Sequence, residues 1–102
     1  MRVMLMYDLP NSTSEENHYY SKFRSNIIKL GYIQLQQSIY VKIIQSKTLS
    51  NSHVEKIRKI IPPKGNIRIF IMTEYQFERG LILSGEINEN EIINDDKRFR
   101  VI

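Results

Sequence analysis

Met1-Arg2-Val3-Met4-Leu5-Met6-Tyr7-Asp8-Leu9-Pro10 opens the chain as an apolar strand that stops at a single carboxylate. Proline has no N–H to give to a strand ladder, so Leu9-Pro10 turns the chain out of the sheet and leaves Asp8 where strand becomes loop. An acid at such a point is held by a rigid element and still meets solvent, a metal ion or a phosphate, although Asp also simply starts turns of this kind. Val3, Leu5 and Tyr7 oppose Met4 and Met6 across the pleat, so the strand is apolar on both faces. The same holds further on, where Ile67, Ile69 and Ile71 oppose Phe70 and Met72.

Between these two strands the elements alternate without linker or repeat. Overlapping capping boxes, Ser12-x-x-Glu15 and Thr13-x-x-Glu16, announce a helix whose apolar face is Tyr20, Phe23, Ile27 and Leu30, with Gly31 as its left-handed cap. Tyr32 to Leu35 and Ser38 to Ile44 read as two strands joined at Gln36-Gln37, the second with Ile39, Val41 and Ile43 on one side and Tyr40, Lys42 and Ile44 on the other. A second helix is expected from Ser52-x-x-Glu55, burying Val54, Ile57, Ile60 and Ile61 and stopped by Pro62-Pro63, before Lys64-Gly65-Asn66 turns into the strand at 67–72. Gly80 to Ser84 suggests a fifth strand, and Phe99 with Val101 a short terminal one.

The order strand, helix, strand, strand, helix, strand is the split βαβ of an α+β, ferredoxin-like βαββαβ sandwich, here with extra C-terminal strands. Residues 1–80 form the core domain and residues 81–102 a C-terminal strand and tail. Two helices cover one face of such a sheet, so strands apolar on both sides leave a second face that needs cover. A second copy packed sheet to sheet as a two-fold homodimer would supply it, and would bring two Asp8 carboxylates towards each other.

Composition bounds the chemistry. A chain of 102 residues makes one domain small enough to benefit from dimerisation, and the absence of cysteine excludes disulfides and thiolate sites. No nucleotide-loop, dinucleotide or zinc motif occurs, and His18 and His53 are lone residues in polar stretches, read as surface groups. Without a signal sequence or an apolar run of membrane-spanning length, a soluble cytoplasmic protein with no membrane contact is expected. Charge is segregated: Asn17 to Thr73 holds ten basic residues against Glu55 alone, while Glu74 to Asp96 holds seven acids against Arg79. A body so biased should attract polyanions, phosphodiester backbone above all, where the alternative is a merely solvated basic face. Lys22, Arg24, Lys42, Arg58 and Arg68 are the candidates for phosphate contact.

Tyr7-Asp8-Leu9-Pro10, Phe23-Arg24, Leu30-Gly31-Tyr32, Gln34-Leu35-Gln36-Gln37-Ser38-Ile39-Tyr40 and Ile67-Arg68-Ile69-Phe70-Ile71-Met72-Thr73 stand in an order that resembles a known family. This is the CRISPR-associated endoribonuclease family, the small conserved subunit of CRISPR spacer acquisition, and the likeness is greatest to members from single-effector RNA-guided nuclease systems.

The resemblance implies two activities. In one, the protein is a scaffold: a homodimer clamped between two dimers of the CRISPR integrase, holding a short prespacer duplex with contacts that ignore sequence. In the other it is a metal-dependent endonuclease on RNA or duplex DNA, with Asp8 as catalytic and metal-binding residue for Mg²⁺ or Mn²⁺. Many relatives carry arginines directly after the aspartate loop, whereas this chain has Asn11-Ser12-Thr13-Ser14-Glu15-Glu16, so Lys22 and Arg24 substitute only if the helix returns them to that edge. A metabolite sensor on the same fold is a third reading with no motif behind it. Segment 81–85 is expected to serve the dimer, and the tail after Glu91 to meet the integrase.

Overall fold

The computed structural model describes residues 1–85 and 100–101. Strands β1 (Arg2–Asp8), β2 (Ile33–Gln36), β3 (Ile39–Ile43) and β4 (Asn66–Met72) form one antiparallel sheet in the order β2-β3-β1-β4, the βαββαβ arrangement expected. Helices α1 (Ser14–Lys29) and α2 (Ser50–Arg58) cover one face of it. The core lies between these layers, where Val3, Leu5 and Tyr7 of β1 and Tyr40 and Ile44 meet Phe23 and Ile27 of α1 and Ile57 of α2. Ile67, Ile69 and Ile71 of β4 close its side.

Helix α1 begins where local chemistry says it should. Thr13 is the N-cap: its Oγ1 accepts the Glu16 N–H at 3.1 Å, and Glu16 Oε1 accepts the Thr13 N–H at 3.2 Å. Ser12 donates through both N–H and Oγ to the same carboxylate oxygen, so the Glu16 carboxyl sits below its ordinary range, chiefly through the Ser12 side-chain hydrogen bond. The overlapping Ser12 box is unused because only one residue can be the cap. At the far end Lys29 is the last helical residue, Leu30 is the C-cap, and Gly31, at φ 97°, turns the chain into β2.

Three elements differ from the sequence reading. Helix α2 starts at Ser50, continuing a 3₁₀ turn over Lys47–Leu49, and its N-cap Leu49 offers no side-chain bond, so the Ser52-x-x-Glu55 pattern lies inside the helix. Ile61 falls beyond that helix and is 52% exposed, while Ile57 is its one buried residue. Most informative is a third helix, α3 (Glu74–Glu78), between β4 and the short β5 (Leu81–Ile82). It is stabilised by a complete capping box, with Thr73 Oγ1 accepting the Gln76 N–H at 3.0 Å and Gln76 Oε1 accepting the Thr73 N–H at 2.9 Å. Its Phe77 is buried under the Arg2 guanidinium, 4.0 Å above the ring, and Arg2 Nε donates to Glu74 Oε1 at 2.8 Å.

Strand β5 spans two residues rather than five and pairs in parallel with β6 (Arg100–Val101). Phe99 and the acidic tail from Glu86, including everything expected after Glu91, lie outside the described residues. The sheet face away from α1 and α2 is largely apolar, as its alternation requires: Met4 is flanked by Val41 and Phe70, and Met6 by Ile39 on one side and Arg68 on the other. Ile43 and Phe70 on it are about half exposed, at 50% and 46%. Residues 81–85 cover part of this face, leaving a groove of about 640 Å³ against Met4, Met6, Leu35, Gln36 and Ile39.

Candidate functional site

Asp8 is the last residue of β1, and its neighbours Tyr7 and Leu9 are buried, at 6% and 8% exposure, while Asp8 itself is exposed. The carboxylate therefore projects into solvent from backbone pinned on both sides by the core. Tyr7 is held firmly. Its ring stacks on Tyr40 at 5.9 Å and meets Phe23 edge-on at 5.1 Å, and burial pushes its hydroxyl well above its ordinary value, with the Tyr40 and Tyr20 hydroxyls adding to the effect.

A second constraint comes from the turn before β4. Gly65 adopts φ 113° and lies so close that a Cβ there would stand 2.3 Å from Leu9 Cδ2 and 2.9 Å from the Asp8 carbonyl oxygen. Only glycine can take that backbone shape and that approach together. The turn delivers Asn66 directly opposite Asp8 in the antiparallel register, and Arg68 opposite Met6. Alternation then places Asp8, Asn66 and Arg68 on one face, at one end of the sheet. Sequence reasoning misses Asn66, although pairing the first and last core strands antiparallel finds it.

The five basic candidates do not form one patch. Lys22 and Arg24, expected to act together, leave α1 on different flanks, because two residues turn a helix through roughly 200°. Lys22 lines a groove with Lys59, Pro62 and Pro63, whereas Arg24 Nε donates to the buried Tyr40 hydroxyl at 3.0 Å on the β3 side. Lys42 sits on the helix-covered face, half-buried, and its Nζ donates to the Leu30 carbonyl at 2.5 Å. There it neutralises the negative end of α1, and desolvation, with a smaller contribution from Lys56, lowers its pKa. Arg58 is an exposed partner of Glu55 within α2, at 3.1 Å. Arg68 is exposed, makes no ion pair among the described residues, and is the one candidate that shares a face with Asp8.

Metal chemistry has a limited donor set here. Among the described residues no group of three or more His, Cys, Asp or Glu side chains could hold an ion. Asp8 itself offers a single carboxylate, which suits a hard ion that keeps most of its waters and does not suit zinc. The described residues also contain no helix long and apolar enough to cross a membrane.

Comparison with known proteins agrees with this arrangement. The family model described as CRISPR associated protein Cas2 matches residues 1–79. A CRISPR-associated endoribonuclease Cas2 of Campylobacter jejuni is 45% identical over 96 residues, covering 94% of this chain and 67% of the relative. The protein of the same description from Treponema denticola is 39% identical over 102 residues, the whole of both chains. One from Streptococcus mutans is 37% identical over 99 residues, 97% of this chain and 90% of its own.

Proposed function

Because this chain belongs to the Cas2 family, the small subunit of CRISPR adaptation, we propose that it works as a homodimeric scaffold that holds duplex DNA for the CRISPR integrase. The observation that carries this reading is the helix-free sheet face. It presents half-exposed Ile43 and Phe70 beside Met4 and Met6, an apolar surface that a single chain leaves in water. A second copy with the same face removes that surface and is self-complementary by symmetry. The basic bias between Asn17 and Thr73 supports binding of a polyanion with little regard to sequence.

Sedimentation of the purified chain, followed by co-purification and spacer integration with a CRISPR integrase, tests the proposal. A two-fold assembly that is required for integration is expected. A monomer at micromolar concentration, or integration that proceeds without this chain, overturns it.

The nuclease reading has one observation in its favour, the exposed Asp8 carboxylate on a rigid strand end. Mg²⁺ or Mn²⁺ held by Asp8 of each of two chains would supply charge neutralisation at phosphorus and a bound water of lowered pKa. Asp8 would bind the ion, Asn66 would stand against the carboxylate, and the pinned Tyr7-Leu9 backbone would fix its direction. Asp8→Asn is expected to abolish divalent-dependent cleavage while leaving the dimer and integration in place. Loss of integration from a folded Asp8→Asn dimer would show that Asp8 serves the scaffold itself.

A further inference from the structure

In the single chain the sheet register brings an acid, and a cation with no ion pair among the described residues, to one end of the sheet face away from α1 and α2. Asp8 faces Asn66 across β1 and β4, and Arg68 is two residues further along β4 on the same side. Directly opposed residues have Cβ atoms about 4.5–5.5 Å apart and diagonal ones roughly 7–8 Å, a separation that long side chains span. Arg68 nevertheless makes no salt bridge with Asp8, and is exposed with no other acid beside it among the described residues. The other basic candidates are engaged or turned away: Lys42 by the Leu30 carbonyl, Arg24 by Tyr40, Arg58 by Glu55, and Lys22 on the far flank of α1.

We infer that Arg68 and Asp8 form one phosphate site, in which the Arg68 guanidinium binds a backbone phosphate of the nucleic acid and holds it beside the Asp8 carboxylate. This rests on the nucleic-acid-binding reading above and adds to it the residue that sets where the strand passes. The planar guanidinium suits two non-bridging phosphate oxygens at once. Asp8 alone repels that phosphate, so the site is self-opposed without a divalent ion and becomes attractive with one. Such a pair makes affinity at this point dependent on the ion while leaving the rest of the surface purely basic.

The test is equilibrium binding of a mixed-sequence duplex across a potassium chloride series, in EDTA and in Mg²⁺, for the wild type, Arg68→Ala, Arg68→Lys, Asp8→Asn and the double variant Asp8→Asn/Arg68→Ala. Arg68→Ala is expected to lower the slope of log affinity against log salt by roughly 0.9 for each phosphate that the guanidinium holds in the wild type, and Arg68→Lys to keep it. In EDTA, Asp8→Asn should tighten binding about fourfold, the weight of one unit charge about 5 Å away in water. That gain should disappear in the Arg68→Ala background, because the phosphate is no longer held beside the carboxylate.

A wild-type slope in Arg68→Ala, or effects of the two substitutions that simply add, overturns the inference while leaving the scaffold reading intact. Wild-type binding that is insensitive to salt overturns both. Sedimentation of each variant separates a third outcome. If Arg68→Ala dissociates to monomers, Arg68 belongs to the contact between copies, and the phosphate assignment is wrong.

Discussion

Replacing Gly65 by alanine should damage this protein more than replacing any other turn glycine, and the structure says by how much. Gly65 and Gly31 both have positive φ, 113° and 97°, so alanine at either carries the cost of a sparsely populated backbone region, about 1–3 kcal/mol. Their surroundings differ. A Cβ at Gly31 meets only the flexible Lys42 side chain, its Cε at 3.4 Å, whereas one at Gly65 meets Leu9 Cδ2 at 2.3 Å and the Asp8 carbonyl oxygen at 2.9 Å. The leucine end can swing, but the backbone oxygen cannot move without displacing the strand end, so overpacking adds about 1–3 kcal/mol at Gly65 alone. Urea midpoints and calorimetric Tm should therefore place Gly65→Ala below Gly31→Ala by at least ~1 kcal/mol, or about 4–8 °C for a domain of this size. Both variants must be compared at equal protomer concentration, since association shifts apparent stability. Equal losses would show that the approach of the turn to Leu9 is relieved cheaply, and would refute the claim that Gly65 sets the position of Asp8.

Three further outcomes follow from the packing. Glu74→Gln should cost more than Arg2→Met: the first leaves a guanidinium that is 3% exposed without its counter-charge, about 3 kcal/mol, while the second removes a charge whose Nη2 has no partner and should fall within about 1 kcal/mol of neutral. Chemical denaturation of both variants checks the order, and the reverse order would mean that Glu74 contributes nothing to the clamp over Phe77. Thr73→Ala removes the α3 cap and should cost about 1 kcal/mol, with faster amide exchange confined to Glu74–Glu78; unchanged exchange there would assign the helix to Phe77 packing alone. His53 has its pKa lowered from 6.5, first by desolvation and then by Lys42 and Lys56, so the unfolded chain takes up the proton before the folded one. Stability should fall as pH drops through 6.5 towards the folded pKa, and His53→Gln should flatten the profile of urea midpoints in that window; an identical slope in the variant would place the titrating group elsewhere.

How much of this is legible in the sequence depends on the range of the interaction. The cap of α1 and the left-handed Gly31 are set by residues within a few positions of one another, and both are where local chemistry puts them. The Thr73-x-x-Gln76 box is equally local and marks α3, but five residues are too few to show an apolar period, so the helix escapes a reading by periodicity. At α2 the local signal misleads: Ser52 and Glu55 have the spacing of a box, yet the preceding turn at Lys47–Leu49 already carries the chain into helix, and an interior serine has no free N–H to cap.

The amino-acid sequence by itself determined the order of the βαββαβ core elements, the two-sided apolar character of β1 and β4 and the placing of Asp8 at a strand end, because periodicity and punctuation are properties of neighbouring residues. Only the tertiary structure decided which charges stand together. Arg24 is drawn to Tyr40, Lys42 to the end of α1 and Arg2 to Glu74, while the antiparallel pairing of β1 with β4 sets Arg68 beside Asp8. Charge density along the chain cannot foretell this, since a cation's partner is chosen by the register and packing of segments far apart in sequence, where desolvation and geometry outweigh nearness along the backbone.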